Sequence, residues 1–443
     1  MTDKASRGMS RREFVQATGV GAAALALGGV GGFALGQASA PKGGPGSGAG
    51  AGEPIRIGSA SPTSGAYAGD GNEMVNGQRM AVDEINERGG INGRPIEIVT
   101  ADVGDFTNET FVNAFQRLAE QDKVAAIFAG YTTTSSVEYE VNARTGVPLF
   151  HLNTLEANVR VVRDDYEKYG MIFQGDPTEV WYGRGFAPLL ESLVEAGAWT
   201  PSSNTVAIIT SDDPYSINIA EQFRDAMTER DWEVTLYEQV VAPTVEWGPT
   251  LSKIRQSPPG LIFNTDYIPG DLAAFMKQFT PNPTPSLIYQ QYGPSVPEYL
   301  DLAGDDANGV IWSTVIGTLP DEIGNDFLAR YEQKFQAKAG LSQAGGQYDL
   351  VRLWAQAVAM SGGDPFDFVA VREYILGNAT FRGVSGGYSW NKAENSVRPY
   401  PDEVNDPGVG MAHLTFQIQD GQQVVIDPSP YTQGTFQLPS WLA

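Results

Sequence analysis

The stretch IRIGSASPTSGAYAGDGNEMVNGQRMAVDEINERGGINGRPIEIVTAD, residues 55–102, decides the fold. Ile55 and Ile57 predict a strand that runs into a Ser/Thr/Gly loop. The loop opens an amphipathic helix, expected over Glu73–Arg88, with Met74, Met80, Ala81 and Ile85 on one stripe. Gly89-Gly90 stop that helix, and Ile96, Ile98 and Val99 predict the next strand. This is a β-α-β opening whose first loop is polar, Gly-rich and aimed at a helix N-terminus. Such a loop can hold a small ligand with backbone N–H groups and hydroxyls.

Outward from this unit the alternation continues. Strands are predicted at Val124–Ala129, Pro148–Leu152, Val206–Thr210, Val234–Tyr237, Leu261–Asn264, Leu287–Tyr289 and Val310–Trp312. Helices are expected between them near Thr107–Glu120, Ser135–Arg144, Val180–Glu195, Asn218–Arg230, Pro249–Gln256 and Asp271–Phe279. Near-continuous apolar strands separated by helices imply parallel sheets covered on both faces. Three longer helices follow (Asp326–Ala339, Gln343–Met360, Phe366–Leu376), then a closing hairpin from His413–Gln419 and Val424–Ile426. So many strands fit two sheets better than one.

With 443 residues, of which 42% are hydrophobic, two domains of ordinary size are expected. A formal net charge of −24 speaks against nucleic acid or an anionic membrane as partner. Cysteine is absent, which excludes disulfides, thiolate metal sites and Cys nucleophiles, and two histidines, His151 and His413, make a His-rich metal site a poor expectation. No cofactor or metal is expected. Ser10-Arg11-Arg12-Glu13-Phe14-Val15, the Gly/Ala/Leu/Val run from Ala17 to Leu35 and the small residues Ala38-Ser39-Ala40 read as a twin-arginine signal peptide cleaved near Ala40. Residues 41–53 read as a Gly/Pro-rich linker. The expected product is soluble, monomeric and periplasmic or otherwise extracytoplasmic.

Ser64-Gly65, Gly77, Asp83-Glu84-Ile85-Asn86, Gly89-Gly90-Ile91-Asn92-Gly93 and Asp102 resemble the first unit of the branched-chain (Leu/Ile/Val) amino-acid binding proteins of ABC transporters, and the likeness runs from about Ile55 to the C-terminus. The resemblance implies an α/β type I periplasmic binding protein: two doubly wound parallel-sheet lobes joined by a three-stranded hinge. Crossings are expected near Phe173–Asp176, Ser313–Ile316 and Gly408–Ala412. Lobe one is then 54–174 with 315–408, and lobe two 175–314 with 409–443. The implied partners are a small solute and an ABC permease with its ATPase.

Five hydroxyls, Thr132 to Ser136, follow a predicted strand and precede a predicted helix, more than capping alone requires. Over Ala129 to Glu156 the chain is similar, without gaps, to the amide-binding branch of the family. That match implies a ligand-facing hydroxyl at Thr133 with Tyr131 beside it, a backbone carbonyl at Leu152 and a second hydroxyl at Thr154. In lobe two the family's aromatic positions fall on Tyr215 and Tyr267. Where amino-acid binders of the family place a Glu for the ligand ammonium, this chain has Tyr292, with Gln291 beside it. An ammonium would then need Asp70, Asp212 or Asp266. Failing that, the solute would be an amide, a urea-like compound or a neutral-headed acid, because a buried unpaired ammonium costs several kcal/mol. Asp70 lies in the first loop, where Asp-Gly is also ordinary turn chemistry. Gln174 and Trp181 are weaker candidates for the cleft floor and wall.

Two other readings share parts of this pattern. A ligand sensor for a partner protein would use the same cleft residues. A hydrolase could use Ser385 in Gly383-Val384-Ser385-Gly386-Gly387, but a nucleophile elbow needs a helix after the serine, and here Tyr388-Ser389-Trp390 reads as extended.

Overall fold

Each of two sheets contains seven strands. The computed structural model describes residues 52–104, 106–377 and 381–443; the signal peptide expected over 1–40 and the linker as far as residue 51 lie outside them. In the first sheet β1 (Ile55–Ser61), β2 (Ile96–Asp102), β3 (Ile127–Ala129), β4 (Leu149–His151) and β5 (Ile172–Gln174) run parallel. The second repeats the plan with β6 (Thr205–Ser211), β7 (Glu233–Val240), β8 (Leu261–Asn264), β9 (Leu287–Gln290) and β10 (Ile311–Thr314). The spatial orders, β2-β1-β3-β4-β5 and β7-β6-β8-β9-β10, are the same doubly wound order. Short β11 (Trp390–Asn391) and β12 (Ser396–Val397) extend the first sheet beyond β5. A separate pair, β13 (Pro399–Tyr400) and β14 (Met411–Ala412), leads to the hairpin of β15 (Leu414–Gln419) and β16 (Gln422–Asp427), which continues the second sheet beyond β10.

Both faces of each sheet are covered. On one face of the first, Phe128, Phe150 and Phe173 stack across β3, β4 and β5 at 5.4 and 4.9 Å between centroids. On the other, Ile127 and Ala129 pack with Phe111, Phe115 and Leu118. This two-sided burial is why the strands read as apolar runs rather than alternating ones. Each buried ring or branched chain contributes about 1.5–3 kcal/mol.

The chain passes from the first sheet to the second between β5 and helix Val180–Glu195, which packs on helix Pro214–Thr228. It returns after β10 and crosses again between β12 and β15. Two doubly wound α/β lobes result, here called lobe one and lobe two.

Several elements depart from expectation. The first helix starts at Ala68, not Glu73, so Gly69-Asp70-Gly71 form its first turn and not a loop. Gly71 is required there because a Cβ would lie 1.9 Å from the Pro62 carbonyl oxygen. The helix after the hydroxyl run starts at Tyr139 instead of Ser135 and has seven residues. β5 and the helices Glu156–Asp164 and Pro297–Ala303 carry no local signal that marked them. β5 is only three residues long and exists because β4 and β12 flank it.

Candidate functional site

In both sheets the strand order reverses at the first strand, between β1 and β3 and between β6 and β8, and such switch points leave a crevice beyond the C-terminal strand ends. The two crevices face each other and enclose a cavity of about 170 Å³. An apolar cavity of ~150 Å³ holds one benzene, so the space suits a solute of about that bulk. Its wall is built from residues that follow strands: Tyr67 after β1, Tyr131 to Thr134 after β3, Leu152 to Leu155 after β4, Asp213 and Tyr215 after β6, Tyr267 after β8 and Tyr292 after β9.

The hydroxyl loop of lobe one is fixed from within that lobe. The buried Glu138 carboxylate accepts the Thr133 N–H at 2.7 Å and its hydroxyl at 2.6 Å, which folds the hydroxyl run into a loop and delays the helix to Tyr139. Asn158 donates to the Thr133 carbonyl at 3.1 Å and accepts from the Thr132 hydroxyl at 3.1 Å. Asn153 donates to the Thr132 hydroxyl oxygen at 2.8 Å. Thr133 therefore spends its proton on Glu138 and offers its oxygen lone pairs to the cavity. Among the described residues, the Leu152 carbonyl receives a single long bond, 3.4 Å, from Gln343 Nε2. Thr154 turns its side chain to the cavity while its carbonyl accepts the Glu179 N–H at 2.6 Å.

Lobe two presents rings. Tyr292 has φ 53° and ψ −49°, and the Gly293 N–H returns to the Gln291 carbonyl at 2.5 Å, a tight γ-turn of the positive-φ kind. Such backbone strain costs about 1–3 kcal/mol and persists where the surroundings enforce it. Here the enforcing contact crosses the cleft: the Tyr292 hydroxyl donates to Asp70 Oδ2 at 3.0 Å, and the Tyr131 hydroxyl donates to the same oxygen. Burial pushes the Asp70 carboxyl up to about 6, against the lowering effect of the two hydroxyls. A second bridge joins the hydroxyls of Tyr67 and Tyr267 at 3.3 Å. Tyr215 is held by Gln291, whose Nε2 donates to its hydroxyl at 2.9 Å.

Behind Gln291 runs a buried chain of bonds. Tyr289 donates to Gln291 Oε1 at 2.5 Å, Ser313 lies 2.8 Å from Tyr289, His413 Nε2 lies 3.0 Å from Ser313, and Asp402 lies 3.2 Å from His413 Nδ1. Asp402–His413–Ser313 has the pairing of a hydrolase triad, yet Ser313 is fully buried in β10 and does not border the cavity.

Of the residues expected from sequence, Thr133, Thr154, Leu152, Tyr131, Tyr215, Tyr267 and Tyr292 are brought together on the wall. Asp70, Gln291 and Asp266 stand one layer behind it, the first two orienting tyrosines. Asp266 is fully buried, accepts the Ile268 N–H at 3.0 Å and is pushed up by desolvation and by neighbouring Asp271. Gln174 lies within β5, and Tyr182 rather than Trp181 reaches the wall. Asp212 is exposed at the surface, and the carboxylate that borders the cavity is its neighbour Asp213. Its one sequence signal, Asp before Pro214, is that of a helix N-cap, and it does cap that helix by accepting the Ser216 N–H at 3.0 Å. Tyr67, Phe106 and Gln343 also line the site without having been singled out.

The periplasmic binding protein model matches residues 54–398. The chain belongs to that family. A protein assigned as a branched-chain amino acid ABC transporter from Silicibacter pomeroyi is 38% identical to this binding protein and superposes with a TM-score of 0.81, covering 88% of this chain and 100% of that one. The branched-chain amino acid transporter substrate-binding protein LivJ of Streptococcus pneumoniae, in complex with isoleucine, shares the fold at 20% identity and a TM-score of 0.69, covering 85% and 100%. Leu/Ile/Val-binding protein homolog 7 of Brucella abortus is 25% identical over 232 residues, 51% of this chain and 55% of its own length. The match thus spans about half the length of that curated relative. Among the described residues, no helix of this binding protein is long and apolar enough to cross a membrane.

Ser385 is buried; its N–H donates to Asp349 Oδ2 at 2.9 Å and its Oγ has no partner among the described residues. His413 bonds to Ser313 and not to Ser385.

Proposed function

We propose that the chain is the extracytoplasmic solute-binding component of an ABC importer and captures a small polar solute, a branched-chain or related amino acid, by closing its lobes. One observation carries this reading: the cavity of about 170 Å³ has its two walls on different lobes, at facing strand ends. Residues 54–174 with 315–408 move as one body, and 175–314 with 409–443 as the other, about the three crossings. The oxygens of Thr133, Thr154 and the Leu152 carbonyl meet the polar head from one lobe, and Tyr215, Tyr267 and Tyr292 close over the solute from the other. Each neutral hydrogen bond nets about 1 kcal/mol, so a few of them with a buried side chain reach about −8 kcal/mol, a micromolar Kd. Such a solute can also be released.

The signal peptide over 1–40 delivers the chain across the cytoplasmic membrane by twin-arginine export, and the closed form docks on a permease with its ATPase. The chain contributes recognition and no catalysis. The burial of Ser385 and the bonding of His413 to Ser313 support this.

A thermal-shift screen of the full chain against amino acids, amides and carboxylates tests the reading. A solute at 100 times its Kd stabilises by about 2.7 kcal/mol, and Thr133→Ala and Thr154→Ala each cut the shift given by the best solute. A flat screen defeats solute capture, and an undiminished shift in both variants defeats the site.

A further inference from the structure

The cavity wall is electrostatically one-sided. Asp213 is its carboxylate, and among the described residues that line it there is no Lys, Arg or His. Asp213 caps helix Pro214–Thr228 through one oxygen, at 3.0 Å from the Ser216 N–H. A carboxylate accepts about four hydrogen bonds, so Asp213, which borders the cavity, keeps acceptor capacity beyond the bonds from Ser216 and Tyr215. Burial pushes this carboxyl above the usual carboxylate range, against the Ser216 bonds that lower it.

The Asp213 charge reaches the hydroxyls of Tyr67 and Tyr267, and these rings form a continuous set with Tyr215. Tyr67 and Tyr267 lie nearly parallel with centroids 6.3 Å apart, and Tyr215 meets Tyr267 edge-on at 5.4 Å. Aromatic faces attract cations and gain nothing from anions. On the opposite lobe the Thr133 oxygen and the Leu152 carbonyl accept and the Thr154 hydroxyl can donate, so that wall meets a head carrying both donors and acceptors.

We infer that Asp213 is the cation-pairing, specificity-determining residue of this cavity, and that the solute bears a protonated amine with net charge zero or positive. This rests on the solute-capture reading above and narrows it. Anions such as aromatic or aliphatic acids meet a carboxylate with no cation to offset it, whereas an amine at Asp213 is paired and lies among ring faces. The role that Tyr292 cannot fill passes to the end of a different strand, β6.

Isothermal titration of the full chain with four probes decides it: L-leucine, leucinamide, 4-methylpentanoate (leucine without its amine) and benzoate. The expected order is leucine or leucinamide at least tenfold tighter than either acid. Asp213→Asn and Asp213→Ser, which keep the helix cap, then weaken the amine-bearing probes tenfold or more and leave the acids unchanged or improved. Equal binding of leucine and 4-methylpentanoate, or amine affinities within twofold of wild type in a folded variant, overturns the inference and leaves solute capture standing. Should neither variant fold, the wild-type order alone decides. No heat from any of the four defeats the solute-capture reading, and this inference with it.

Discussion

The two walls of the cavity are held in place differently. Lobe one's hydroxyl loop is tied to Glu138, Asn153 and Asn158, all of lobe one. Lobe two's rings lean on the other lobe: Tyr292 bonds to Asp70 and Tyr267 to Tyr67. Only Tyr215 is held within its own lobe, by Gln291. The hydroxyl loop is therefore set independently of lobe two, whereas the Tyr292 and Tyr267 hydroxyls find their partners only across the cleft. A preformed polar half lowers the ordering cost of binding. A half that gains partners on closing couples the solute to the hinge.

The largest test of this contrast is pH. Burial holds Asp70, which spans the cleft, at about 6. It also holds Glu179 at about 7, where Glu179 joins Glu156 and Thr154 of lobe one to Asn218 of lobe two. The closed fold binds protons that an opened or unfolded chain releases. Its stabilisation is complete below the ordinary carboxylate range and fades as pH rises through about 6 and 7. Each group contributes about 1.4 kcal/mol per pH unit while it titrates in the folded state alone. The closed form gains on the order of 4 kcal/mol from pH 8 to pH 5, and Tm rises several degrees. A thermal melt series with solution scattering reads both, and an opposite slope shows that the seam between the lobes is solvated.

Next in size is Glu138→Ala. It strips the acceptor from the buried Thr133 N–H and should cost about 2–3 kcal/mol in urea unfolding, with loss of the solute-induced shift, while Glu138→Gln retains most of both. Unchanged stability would mean that lobe one's wall is not preformed. The smallest effect is expected for Tyr292→Phe, which removes only the hydroxyl that reaches Asp70. About 1 kcal/mol, roughly fivefold in affinity, is lost, and it appears in the release rate. A change confined to the association rate would argue that Tyr292 meets the solute before closure.

Local pattern was enough for the two sheets. The apolar runs of β1, β8 and β9 and the helices Val180–Glu195 and Gln343–Met360 stand where periodicity put them, because strand and helix periods are carried by neighbouring residues. Strand ends followed, and a doubly wound sheet presents those ends to the crevice. It was the family resemblance, not periodicity, that picked out Thr133, Leu152, Thr154, Tyr215 and Tyr267 there, and all five border the cavity. Tertiary structure decided the rest. β5 forms because β4 and β12 flank it, the helix at Tyr139 waits for Glu138 to bind Thr133, and Asp70 withdraws behind two tyrosines that come from different lobes. Which of two adjacent aspartates turns inward, Asp212 or Asp213, was likewise invisible in the sequence, because a cap pattern specifies a backbone bond and not what the carboxylate faces across the cleft.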